Sequence, residues 1–174
     1  MTVLFTLSKP MLREYLHYLF AYEDGSFSVF RGHDFGKLLC SLVQYSNLPV
    51  PQKITEHTIK LTLPISRPTA NAPNYYLYYK KEDEAKLADY LEAIFNIDLD
   101  RYYLKGIKQG YQQKEVIQTF IISRKLVGLI GDNERLKKRL YRDEQKQLKQ
   151  ATDKLLKKVY YRHHQIEYGA NYAY

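Results

Sequence analysis

Residues 75–95, Tyr-Tyr-Leu-Tyr-Tyr-Lys-Lys-Glu-Asp-Glu-Ala-Lys-Leu-Ala-Asp-Tyr-Leu-Glu-Ala-Ile-Phe, contain the point at which the residue pattern of this chain changes from strand to helix. Residues 75–79 are tyrosines around one leucine, a composition that favours a strand. After residue 80 the apolar residues follow the spacing of one helix face, at Leu87, Tyr90, Leu91, Ile94 and Phe95. We therefore predict an α+β fold in which a small α/β module precedes an all-helical C-terminal half.

The residues before this point predict a module with about three strands and two helices. Residues 26–30 and 58–63 alternate polar and apolar side chains, as half-buried strands do, and residues 75–79 supply the third strand. One helix is predicted after Pro10, which suits an early helix position, and a second over residues 34–45.

The residues after this point predict helices only. The expected helices cover residues 83–95, 99–109, 112–124 and 134–162. Asp98 is a candidate N-cap for the second of them, and Gly110 is a candidate stop. We accordingly divide the chain into an α/β module at residues 1–80, for which oligomerisation is one expected role, a helical basic module at residues 81–164, and a flexible tail at residues 165–174.

The positive charge of the chain is concentrated in its last third. The formal net charge is +8, and residues 124–164 alone contain 13 Lys or Arg against 5 Asp or Glu, so this segment accounts for all of it. A local excess of this kind attracts polyanions, of which DNA, RNA and anionic lipid are the common ones. We expect nucleic acid, with DNA first, as the partner.

The arrangement of the helices resembles the general plan of helix-turn-helix DNA-binding domains over about residues 98–145. Lys114–Ile117 with Phe120 correspond to the bracing helix, and Glu134–Arg142 correspond to the reading helix. The connection at residues 123–132 is longer than the usual turn of the motif. The resemblance implies that the basic helix lies in the major groove of DNA.

The predicted nucleic-acid contacts are cations and tyrosines of the last third. On a helix, Arg135, Lys138, Arg139 and Arg142 fall on the outward arc, where they reach phosphates together. Tyr160 and Tyr161 alternate with cations, a pattern typical of single-strand binders. The full predicted set is Arg124, Lys125, Arg135, Lys137, Lys138, Arg139, Arg142, Lys146, Lys157, Lys158, Tyr160, Tyr161 and Arg162.

Three other interpretations of the same residues remain open. The cations also fit an ordinary solvated helix face, because Asp143, Glu144 and Asp153 are interspersed among them. A structural role is a second interpretation, since a helix over residues 134–162 would need a neighbour in a homo-oligomer or a multiprotein complex. The seam of that interface would be Leu140, Leu148, Ala151, Leu155 and Val159. Binding of RNA or single strands through the tyrosine-rich sheet and tail is a third.

Catalytic and cofactor motifs are missing from the sequence. The chain has no P-loop, no GxGxxG and no recognised spacing of a nucleophile, a base and an acid, so we expect a regulatory or accessory protein without a cofactor rather than an enzyme. His163 and Glu167 are spaced i, i+4, but one such pair does not make a metal site.

The remaining sequence features concern location. Cys40 is the one cysteine, which excludes an internal disulfide and fits a reducing compartment. Residues 1–10 lack a basic start and a cleavage site, and no apolar stretch approaches the roughly 18 residues of a transmembrane helix. We expect a cytoplasmic protein without a signal peptide and without contact to a membrane.

Overall fold

The structure is a computed structural model that describes residues 1–64, 75–126, 128, 136, 140 and 150–159. The strands are β1 (Thr2–Thr6), β2 (Ala21–Glu23), β3 (Ser26–Ser28), β4 (Gln44–Ser46), β5 (Thr58–Thr62) and β6 (Tyr76–Tyr78). The helices are α1 (Pro10–Leu19), α2 (Asp34–Leu42), α3 (Lys81–Lys108) and α4 (Gln113–Ser123), and residues 150–159 are also helical. The strands precede the long helices, which confirms the α+β class.

The larger sheet has four strands in the order β1-β5-β3-β2. Strand β5 pairs antiparallel with β1 and parallel with β3, and β2 and β3 form an antiparallel hairpin. Asp24 and Gly25 at the tip of this hairpin have φ angles of 50° and 75°. Positive φ at both central residues is the geometry that an Asp-Gly hairpin turn favours.

The second sheet has two strands, which makes six described strands where the sequence predicts about three. The predicted strands at residues 26–30, 58–63 and 75–79 correspond to β3, β5 and β6. Strand β6 pairs antiparallel with β4, whose Gln44 lies opposite Tyr78. The predicted helix over residues 34–45 is therefore too long, because α2 ends at Leu42 and residues 44–46 form β4.

Helix α3 is continuous where the sequence predicts two helices. The predicted break at Asp98 is wrong, because the carboxylate of Asp98 binds Tyr15 of α1 and Arg124, which follows α4, and does not cap a new helix start. The predicted stop at Gly110 is confirmed. Gly110 has a φ of 85°, and the amides of Gly110 and Tyr111 donate to the carbonyls of Ile107 and Gly106.

Among the residues that the structure describes, one cluster of buried side chains forms the core, and it includes residues on both sides of the predicted boundary at 80/81. Helix α3 lies at the centre of this cluster, since nearly every residue from Leu87 to Asp100 is buried or half-buried. Helix α4, which the sequence predicts at residues 112–124, packs closely on α3. A Cβ at Gly106 would lie only 2.6 Å from Cγ2 of Val116, so the approach of the two helices requires glycine there.

Candidate nucleic-acid interface

Four of the predicted contact residues lie within the described part of the chain. Arg124 and Lys125 follow the last residue of α4, and Lys157 and Lys158 belong to the helical segment 150–159. The others lie outside the described residues: Arg135, Lys137, Lys138, Arg139, Arg142, Lys146, Tyr160, Tyr161 and Arg162.

The segment 150–159 is anchored on α3 by one of its sides. Thr152 is buried, and its Oγ1 donates a hydrogen bond of 3.2 Å to Oδ2 of Asp100, which is itself 0% exposed. Leu155, Leu156 and Val159 on the same side are half-buried, and Val159 packs against the core cluster. The orientation of this helix relative to solvent is therefore fixed by contacts inside the molecule.

The opposite side of this segment presents three lysines, Lys154, Lys157 and Lys158, which we call the lysine arc. All three are exposed. At 3.6 residues per turn they fall within an arc of about 100° around the helix axis. In the part of the chain that the structure describes, none of them forms an ion pair. The lysine arc is thus a group of exposed cations on one side of a docked helix.

Arg124 lies between three helices. Its Nε donates to Oδ2 of Asp98 on α3 at 2.8 Å, and its Nη2 donates to Oδ1 of the same carboxylate at 2.9 Å. The guanidinium also lies over the ring of Tyr18 from α1, 4.8 Å from its centroid. The hydrogen bonds with Asp98 raise the pKa of Arg124, and its side chain is only 18% exposed.

Tyr15 completes this network from α1. Its hydroxyl donates to Oδ2 of Asp98 at 3.1 Å, and burial, followed by the charge of Asp98, raises its pKa. Asp98 thus accepts from both Tyr15 and Arg124, and the charge of Arg124 is matched within the fold. The contact of Arg124 with nucleic acid stays a prediction.

Lys125 is exposed and adopts a left-handed backbone conformation with a φ of 56°. It occupies the position just beyond the helix end at which glycine is common. Its amide donates to the carbonyl of Ile122, and the amide of Leu126 donates to the carbonyl of Ile121, so α4 ends in a Schellman motif. A lysine in this conformation costs about 1 kcal/mol relative to glycine.

A second row of cations, on α3, is not among the predicted contacts. Arg101, Lys105 and Lys108 are exposed and spaced i, i+4, i+7, which places them on one face of the helix. They form no ion pair with any residue that the structure describes. Their spacing was a sufficient signal in the sequence, but Lys105 and Lys108 also suit the negative end of the helix dipole.

The predicted reading helix is described only at Leu136 and Leu140. Both residues are helical, and they are 4% and 3% exposed within the core cluster. Their i, i+4 spacing predicts one inward face, and their burial agrees with that prediction.

The described residues offer neither a cluster of metal ligands nor a helix suited to a membrane. These residues contain no group of three or more His, Cys, Asp or Glu side chains arranged to hold a metal ion. The pair His163 and Glu167 lies outside them. None of the described helices combines the length and the apolar character needed to cross a lipid bilayer.

Comparison with protein-family models, with curated proteins and with solved structures found no significant match to this chain.

Proposed function

We propose that this protein is a nucleic-acid-binding accessory or regulatory protein that contacts double-stranded DNA through its basic C-terminal helical part. The observation that carries this proposal is the lysine arc. Its three exposed lysines lie on one side of a helix whose other side is anchored on α3 by Thr152 and Asp100.

The anchoring matters for binding because it holds the cations in place before the ligand arrives. An isolated helix would have to be ordered on DNA, whereas a docked helix presents its lysines at no further cost in backbone entropy. Each phosphate that a lysine neutralises releases condensed counterions, which gives affinity that is independent of sequence and falls steeply with salt.

The helix-turn-helix resemblance adds a geometry to this electrostatic contact. Helix α4 contains the residues that correspond to the bracing helix, and Leu136 and Leu140 of the predicted reading helix are buried. That helix would supply the base contacts through Arg135, Lys138 or Arg142. The proposed role is binding and not catalysis, in the cytoplasm, where a single cysteine stays reduced.

Binding to three nucleic acids of equal length tests the proposal: duplex DNA, single-stranded DNA and RNA, each in a gel-shift series at low salt. We expect all three to bind, because phosphates dominate the affinity, with a preference for the duplex. A preference for the single strands would favour the alternative in which the tyrosine-rich sheet and tail bind RNA or single-stranded DNA. Absence of binding to all three at low salt would end the nucleic-acid proposal.

Self-association is the second candidate, and an exposed tyrosine patch favours it. Tyr45 of β4 and Tyr75, which directly precedes β6, are both exposed, and the centroids of their rings lie 6.4 Å apart. Tyrosine is enriched where proteins meet. Of the predicted helical seam, Leu140 is buried in the chain's own core. Sedimentation distinguishes the candidates, since an oligomer that salt does not disperse and DNA does not shift favours assembly.

A further inference from the structure

A cavity of about 480 Å³ opens between α1, the β2–β3 hairpin and the beginning of β5. It exists because β3 pairs with β5 only at Leu61 and Thr62, whereas β1 pairs along the whole of β5. Residues 58–60 therefore border open space on the hairpin side. The volume lies in the range of small-molecule sites, about 300–1,000 Å³.

Three aromatic rings in mutual contact form one wall of the cavity. The ring of His17 lies 4.7 Å from that of Phe27 and 5.0 Å from that of Tyr22, and the rings of Tyr22 and Phe27 lie 4.8 Å apart. Phe27 is buried, whereas Tyr22 is 52% exposed. The wall is thus fixed at its base by the core and keeps an accessible ring toward solvent.

Two basic residues, Arg13 and Lys60, also border the cavity, against one acid, Glu14. Nη1 of Arg13 donates to the carbonyl oxygen of Glu56 at 3.0 Å, which holds the guanidinium in place. A guanidinium has five N–H donors, so this bond leaves donors for an anion. Lys60 lies on β5 and is exposed.

We propose that this cavity binds a nucleoside 5′-phosphate, either free or as the terminal unit of a single strand. The base would stack against the wall of His17, Tyr22 and Phe27, and the phosphate would bind Arg13 and Lys60. A ligand needs both an aromatic ring and an anionic group to use both features. The residues of this site differ from those of the lysine arc, so this proposal does not depend on the proposed contact with duplex DNA.

Calorimetric titration of the full chain with AMP, adenosine and inorganic phosphate tests the ligand class. We expect saturable binding of AMP, and at least about tenfold weaker binding of adenosine and of phosphate, because each lacks one of the two contacts. Absence of saturable binding at millimolar AMP overturns the proposal. Phosphate binding as tight as that of AMP overturns the role of the aromatic wall.

Four variants place the binding in this cavity. Arg13→Met removes the charge and keeps the apolar stem, and we expect about tenfold weaker AMP binding. Tyr22→Ser is expected to weaken AMP binding and leave phosphate binding unchanged, whereas Tyr22→Phe keeps the ring and retains AMP binding. Lys108→Met removes an exposed lysine far along α3 and is the matched control. AMP binding that is equal in all four variants overturns the proposal.

A short 5′-phosphorylated single strand then separates the two sources of this chemistry. Tighter binding of the strand than of AMP, weakened by Arg13→Met, assigns the site to a nucleic-acid end. AMP binding that the strand does not displace assigns it to a free nucleotide. Unchanged thermal unfolding of each variant shows that the losses come from the site and not from the fold.

Discussion

Arg124 shows how far a single charged residue can be interpreted from sequence. Its position in the basic last third predicts an external anion, but the structure pairs it with Asp98, 26 residues earlier in the chain. Counting charges along a sequence reveals a local excess of cations, but it does not reveal which of these cations are paired with acids elsewhere in the fold. The partner of Arg124 became predictable only once α3 and α4 were placed side by side.

The ion pair of Arg124 leads to a prediction about stability. Arg124→Met leaves the carboxylate of Asp98, which is 23% exposed, without its bidentate partner. We expect the free energy of unfolding in urea to fall by about 1–3 kcal/mol. The free energy of unfolding should fall by less in Arg124→Lys, because an ammonium replaces the charge but not the two parallel hydrogen bonds. The double variant Arg124→Met with Asp98→Asn should lose less than the sum of the single losses, and strict additivity would contradict the coupling.

Lys125 gives the second prediction at this scale. Lys125→Gly relieves the left-handed backbone at the end of α4, and we expect the free energy of unfolding to rise by about 1 kcal/mol. Lys125→Ala removes the same charge but keeps a Cβ, so it is the matched control and should bring no such gain. If both variants are equally stable, charge and not backbone conformation determines the effect.

Among the elements, α2 owes its beginning to a histidine. Nδ1 of His33 accepts a hydrogen bond of 3.2 Å from the amide of Phe35, which requires that nitrogen to be unprotonated. Burial lowers the pKa of His33 below its ordinary value of 6.5, and the smaller effect of Asp34 acts in the opposite direction. In the unfolded chain the imidazole takes up its proton at a higher pH than in the fold. The stability that His33 contributes is therefore present above about pH 6.5 and is lost as the pH falls through the lowered pKa.

The direction of this pH dependence can be checked by measuring the free energy of unfolding at about pH 7.5 and at about pH 5. His33→Asn retains a capping oxygen that does not titrate in this range. On acidification, we expect the free energy of unfolding of the parent to fall by up to about 1 kcal/mol more than that of His33→Asn. An identical loss in both proteins would show that protonation of His33 does not weaken α2.

The elements also show which parts of the fold the sequence could predict. Strands β3, β5 and β6 were predictable because their side chains alternate or are aromatic, and β1 carries the same signal in Val3 and Phe5, which are buried. Strand β2 lacks it, since all three of its residues are exposed. It forms because the turn at Asp24 and Gly25 folds it back on β3. The sequence predicts a break in α3 at Asp98 because aspartate is a common cap, and only the partners of Asp98 in the fold show that it is not one.

At the scale of the whole molecule, the sequence shows which segment carries the excess positive charge, but it does not show which contacts hold those cations at the surface. The excess of cations after residue 124 is visible in the sequence. The contact that anchors the lysine arc joins Thr152 to Asp100, 52 residues apart, and neither residue type indicates such a partner. The aromatic wall of the cavity likewise combines His17, Tyr22 and Phe27 from three different elements. Both sites arise from tertiary packing.

The most direct test of the proposed function is the salt dependence of duplex DNA binding, measured by fluorescence anisotropy for two triple variants. One replaces the lysine arc, Lys154, Lys157 and Lys158, with glutamine, and the matched control replaces Lys37, Lys53 and Lys80, which removes the same charge from the N-terminal module. We expect the parent and the control to bind alike, and the arc variant to lose about 2–3 from the slope of log affinity against log salt. A parent that fails to bind at low salt, or equal losses in both variants, would contradict binding through the lysine arc.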